Sequence, residues 1–194
     1  MIELMTIHTK AFNMTDEEFV RFCEDNPDLR IERTPEKEII IMAPSFAKTG
    51  IIHSIINSRL VDWCLETKSG FVTDSSTGFN LPDTSMRAPD LAWIPMDKWK
   101  KLSDDEKHSF LKYCPEFVIE VKSKTDRLKD LQAKMKSWIR NGTRLAWLID
   151  PQEEKVWIYR KNGDVEEISG FDNQLKGEEV LQDFTFELRD LRIE

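Results

Sequence analysis

Three residues of this chain, Asp90, Glu120 and Lys122, have the types and spacing for chemistry at a phosphate centre. In the stretch PEFVIEVKSKTD, residues 115–126, an apolar run of Phe117, Val118, Ile119 and Val121 carries Glu120 and then Lys122. Side chains of a strand alternate faces with a period of two, so Phe117, Ile119 and Val121 point one way and Val118, Glu120 and Lys122 the other. An acid and a base therefore share a face. Taken alone, Glu-x-Lys reads first as a weak ion pair on a solvated sheet. A second carboxylate changes that reading. In RAPDLAWI, Asp90 follows a proline and opens another apolar strand, at the start or edge of the sheet. Neighbouring strands lie about 4.8 Å apart, so Asp90 and Glu120 can share one divalent ion if their strands pair in suitable register.

That arrangement would divide the work. Mg²⁺ takes oxygen ligands and keeps several waters, which suits two carboxylates, a main-chain carbonyl near Val121 and a phosphate oxygen. A bound metal lowers the pKa of its water and offsets charge developing on phosphorus. Lys122 would orient the attacking water and stabilise the same charge.

The surrounding elements must position these groups. Thr15 and Glu18 form a capping-box signature ahead of a short first helix. LRIER, TPEKE and EIIIMA read as a β-hairpin. From about Gly50 to Lys68, Ile52, Ile55, Ile56, Leu60, Trp63 and Cys64 recur at helical spacing, with Gly70 as the stop signal. His53, among apolar neighbours, reads as a packed or surface histidine. FVTDSSTGFNLPDTSMRAPDLAWIP reads as two strands around a turn containing Pro and Asp, and Ser103 with Glu106 caps another helix. A helix from about Asp126 to Asn141, ended by Gly142, sets Leu128, Leu131, Met135, Trp138 and Ile139 in an apolar stripe. Lys129, Gln132, Lys136 and Arg140 line another face and are candidates for contact with a nucleic-acid backbone. RLAWLID and KVWIYR are two further strands, Asn162-Gly163 marks a hairpin turn, and DFTFEL could add a strand.

Composition bounds the alternatives. The 194 residues, 40% of them hydrophobic, suffice for one domain spanning 1–194 with one substantial core. No apolar run approaches the roughly 20 residues of a membrane span, and the opening residues lack a secretory pattern. The cytoplasm is the expected location. Cys23, Cys64 and Cys114 read as core thiols, and His8, His53 and His108 show no zinc-ligand spacing. A net charge of −8 argues against nonspecific coating of nucleic acid. Between Lys122 and Arg140, however, seven bases stand against Asp126 and Asp130, which fits a focused anion site or a solvated helix face.

Pro89-Asp90 followed by Glu120-Val121-Lys122 resembles the PD-(D/E)XK nuclease signature. The wider run of NPDLRIERTPEKEIIIMAPS, FVTDSSTGFNLPDTSMRAPDLAWIP, CPEFVIEVKSKTDRLKDLQAKMKSWIRNGTRLAWLIDP and KVWIYR resembles the Uma-two family of restriction-type endonucleases over about residues 25–160. The resemblance implies an α/β fold with a restriction-endonuclease-like core, a mixed central β-sheet flanked by α-helices. It also implies cleavage of DNA dependent on Mg²⁺, with Mn²⁺ as a substitute, and commonly a homodimer. Carried over by position, Asp90 and Glu120 are metal ligands, Val121 adds its carbonyl, and Lys122 is the catalytic base-site residue. Glu32 is a further carboxylate near the metal or a solvated strand acid. Gln132 falls where related nucleases place a polar helix residue, although Lys136 replaces the aromatic residue expected after it. Trp93, Trp138, Trp147 and Trp157 read as core. Lys48, Arg59 and Arg87 either touch nucleic acid or solubilise the surface. Two rival readings keep the fold without the chemistry: a noncatalytic binding or regulatory module, and an assembly domain held by apolar faces.

Overall fold

The computed structural model describes residues 5–7 and 14–193. His8 and much of the opening segment lie outside them. Strand β1 (Met5–Ile7) is followed by helix α1 (Asp16–Asp25), the hairpin β2 (Arg30–Arg33) and β3 (Ile39–Met42), and the long helix α2 (Ala47–Thr67). Four strands come next: β4 (Gly70–Asp74), β5 (Phe79–Asn80), β6 (Met86–Arg87) and β7 (Leu91–Pro95). Single-turn helices α3 (Met96–Trp99) and α4 (Asp104–Lys107) lead to β8 (Phe117–Val121), helix α5 (Leu128–Asn141) and β9 (Leu145–Asp150). The chain ends with β10 (Lys155–Arg160), β11 (Val165–Ser169), β12 (Gln174–Lys176), β13 (Thr185–Glu187) and a 3₁₀ turn over Leu188–Leu191.

The central sheet runs β11-β10-β9-β8-β7-β4. It is mixed, because β8 and β9 are parallel while their outer neighbours pair antiparallel. Parallel neighbours need a crossover, and α5 provides it. A second sheet, β1-β3-β2-β6-β5, stands apart, and β12 pairs with β13. The segment from Phe71 to Pro95 therefore makes four strands rather than the expected two, and they divide between sheets. The turn at 75–78 carries the chain from the central sheet to the second one, the turn at 81–85 joins β5 to β6 within that sheet, and residues 88–90 lead back to β7.

Both faces of the central sheet are covered, which is why β8 and β9 are almost uniformly apolar. On one face, Ile52, Ile56, Leu60 and Cys64 of α2 pack on Leu91, Phe117, Ile119 and Trp147. On the other, Met135 and Trp138 of α5 pack on Ala92, Val118, Ala146 and Leu148. Full burial of a side chain the size of Leu or Phe stabilises the fold by about 1.5–3 kcal/mol, so these two layers fix where α2 and α5 sit. Helix α1 is capped as expected, with Thr15 and Glu18 in a reciprocal box.

Two chain stops differ in mechanism. Gly142 ends α5 at φ 123°, in a conformation that favours glycine. Helix α2 stops instead at Lys68, whose φ is 54°. Gly70 begins β4 with the position of its missing Cβ only 2.1 Å from the Ile94 carbonyl oxygen, so close strand approach explains that glycine.

Candidate active site

Strand pairing brings the two candidate carboxylates together. In the antiparallel register of β7 and β8, Leu91 faces Ile119 and Ala92 faces Val118, so one step outward sets Asp90 across from Glu120. Asp90 Oδ2 accepts the Val121 N–H at 2.8 Å, which pins the residue before β7 to the end of β8. His53, projecting from α2, brings its Nε2 to 3.4 Å from the same oxygen. That approach lies within ion-pair range but outside hydrogen-bond geometry.

The centre of the cluster is a lysine. Lys134 of α5 places Nζ 2.8 Å from Glu120 Oε1 and 2.8 Å from Glu32 Oε1. Trp138, one turn further along α5, donates its indole N–H to Glu120 Oε1 at 3.0 Å. Glu32 accepts from the Ala88 N–H at 3.1 Å and from Arg87 at 3.0 Å. It thereby ties β2 to the segment leading into Asp90. Glu32 and Glu120 are only 2% and 3% exposed; acids this deep require partners of this kind. Glu32 is therefore a buried member of the cluster rather than a solvated strand acid.

Electrostatics follow from that packing. Burial pushes the Glu120 carboxyl up, and Asp90 and Glu32 add to the effect against the pull of Lys134, leaving it at about 7. Burial would also raise Glu32, but Lys134 and Arg87 outweigh it and hold that carboxyl below its ordinary value. Asp90 is likewise held low: His53, Lys134 and the Val121 N–H overcome its burial. Burial alone would lower the Lys134 ammonium, yet Glu120, Glu32 and Asp90 raise it well above the usual lysine value.

Lys122 does not join Glu120. Strand β8 ends at Val121, and the Lys122 ammonium turns to Asp150 Oδ2 at 3.4 Å. The parallel register, with Val121 beside Ile149, makes Asp150 its neighbour on β9. Asp150 also accepts the N–H groups of Gln152 and Glu153, so it organises the turn after β9. Val121 meets the cluster through its N–H on Asp90. Lys129, Lys136 and Arg140 are exposed. At 100° per residue they stand about 200–240° around α5 from Lys134, on the far side of the helix from the carboxylates. Gln132 is half-buried, and its side chain makes no hydrogen bond to another described residue.

Arg87 is neither a surface solubiliser nor free for nucleic acid, being bound to Glu32. Sequence reasoning left Lys134, Asp150 and the Trp138 N–H outside the site and set His53 aside. One signal was present: Leu131, Lys134 and Trp138 follow at spacings of three and four, so a lysine sits beside the apolar stripe of α5.

The residues suit a hard divalent cation in kind. Glu32, Asp90 and Glu120 offer anionic oxygen, and the Lys134 ammonium, equidistant from two of them, stands where a cation is favoured. Three carboxyl groups gather around two close cations, Lys134 and Arg87. Among the described residues no three His, Cys, Asp or Glu side chains are arranged to hold a metal as they stand. Glu32 and Glu120 are instead drawn in around the lysine.

No helix among the described residues is long and apolar enough to cross a membrane. The fold is shared with a crystal structure titled as a putative nuclease belonging to DUF820 from Anabaena variabilis ATCC 29413, at a TM-score of 0.71 and 20% identity, over 83% of this chain and 88% of that one. No curated protein matches the chain. The model of the Uma2 family, described as "Putative restriction endonuclease", matches residues 16–191, well beyond both ends of the 25–160 segment. The family match supports a nuclease, and the chain belongs to the Uma2 family.

Proposed function

We propose that the protein is a Mg²⁺-dependent DNA endonuclease, with Mn²⁺ able to replace Mg²⁺, acting through a PD-(D/E)XK-type site. One observation carries this reading: Glu32 and Glu120 converge on one cation, Lys134, with Asp90 across from Glu120. Asp90, Glu120 and the Val121 carbonyl would hold the metal. When bound, the metal would supply Lewis-acid stabilisation of the phosphate and a water of lowered pKa. Glu32 keeps the segment before Asp90 in place through Ala88 and Arg87. Lys134 sets positive charge beside the carboxylates, where it would meet charge developing on phosphate oxygens. Lys122, held at the sheet end by Asp150, is the second cation able to orient water or phosphate. In the reaction a water oxygen bonds to phosphorus, the bond from phosphorus to the leaving oxygen breaks, and that oxygen takes up a proton. A homodimer acting on DNA is the setting the family resemblance favours, and the cytoplasm is the location expected from the sequence pattern.

The experiment is incubation of supercoiled plasmid with the purified chain in Mg²⁺, in Mn²⁺ and in chelator, beside folded Asp90→Ala and Glu120→Ala variants. Metal-dependent nicking lost in both variants supports the proposal, whereas equal traces from every sample oppose it. A binding module without chemistry is favoured by one feature: Lys129, Lys136 and Arg140 are exposed on the side of α5 away from the carboxylates. It predicts salt-sensitive DNA binding and no product.

A further inference from the structure

Lys134 is over-supplied with acid. A lysine buried for structural reasons needs one carboxylate, yet its ammonium contacts Glu32 and Glu120 equally, with Asp90 adding to the field. Glu32 does not depend on it alone, since Arg87 and the Ala88 N–H already serve that carboxylate. The lysine side chain is also not sealed in: it is 14% exposed, on a flexible four-carbon stem. These features describe a cation that holds anionic ligands together and keeps some contact with solvent.

We infer that Lys134 is the resident cation of the metal-free site, keeping Glu32 and Glu120 together until a divalent metal displaces its ammonium toward solvent. The inference rests on the metal-site reading given under Proposed function. It explains why the carboxylates close on Nζ rather than around a metal-sized gap. Metal affinity is then the outcome of a competition, reduced by the fraction of time Lys134 holds the carboxylates.

The test uses the full chain, wild type and Lys134→Met, with Mn²⁺ as the probe. Binding is followed by electron paramagnetic resonance, and thermal unfolding is recorded in chelator and in Mn²⁺. Lys134→Met should melt lower than wild type in chelator, gain more in melting temperature from Mn²⁺, and bind Mn²⁺ about tenfold more tightly. In case this variant does not fold, a second measurement uses wild type alone. Reductive methylation mapped by mass spectrometry should modify Lys134 slowly in chelator and several-fold faster in Mg²⁺. If wild type binds Mn²⁺ but the variant binds no more tightly, or if Lys134 labels at the same rate with and without Mg²⁺, the inference fails while the metal site stands. If neither protein binds Mn²⁺, both fail together.

Discussion

Lys134 and Trp138, one helical turn apart on α5, both donate to a single atom, Oε1 of Glu120, from 2.8 and 3.0 Å. The helix is thus keyed to strand β8 by polar contacts as well as by its apolar stripe. Any shift of α5 along the sheet would break both contacts at once.

Replacing Trp138 by Phe removes the indole donor while keeping an aromatic ring at the edge of Phe79. A lost hydrogen bond to a buried charged group costs about 1.5–3 kcal/mol. Urea unfolding should show that loss with an unchanged denaturant slope, which separates it from a change in compactness.

Stability in chelator should depend on pH through Glu120. Its carboxyl titrates at about 7 in the folded chain against an ordinary 4.5, so the folded state holds the proton more tightly than the unfolded one. The contribution is fully present below the ordinary value and is lost as pH rises through the folded value. Unfolding free energies measured across that interval should fall with pH for wild type, and Glu120→Gln should flatten the slope.

The two lysines should separate in a nicking assay. Lys134→Ala removes the charge beside the carboxylates and should cost on the order of 10²-fold in rate, as loss of a preorganised electrostatic group does elsewhere. Lys122→Ala leaves Asp150 still bonded to Gln152 and Glu153, and should cost far less. A larger loss for Lys122 would return the catalytic lysine to the position that the bare sequence motif suggests.

DNA affinity should respond to the outer face of α5 independently of cleavage. Each phosphate contact contributes about 0.9 to the slope of log affinity against log salt. Converting Lys129, Lys136 and Arg140 together to Ala should lower that slope by about 2–3 in fluorescence anisotropy. An unchanged slope would mean that DNA approaches by another surface.

Much of this layout was legible in the sequence because periodicity reports burial. The β8 run, the stripe of α5, the capping boxes at Thr15 and Ser103 and the β2–β3 hairpin all fall as their patterns require. Alternation also placed Glu120 on the α5 side of the sheet, where Trp138 meets it. What periodicity does not encode is how far a strand extends. Lys122 shares parity with Glu120, but β8 stops at Val121, and beyond it the neighbouring strand supplies Asp150 as partner. Nor does local pattern reveal contacts across long separations. His53 meets Asp90 only because α2 and β7 pack on each other, and Lys134 of α5 meets Glu32 of β2 although the two are far apart in the chain. Strands β5 and β6 were likewise set by their partners, since two residues carry too little alternation to read.

The β8–α5–β9 crossover also has a meaning for the chain during its synthesis. Glu32, His53, Asp90 and Glu120 all precede Lys134 and Trp138, and β8 needs β9 as its parallel neighbour. A nascent or truncated chain ending before α5 carries every carboxylate of the cluster but neither donor that organises Glu120. If the proposed site is the working one, competence is conferred late, by α5 and β9, and a copy ending before them would lack it.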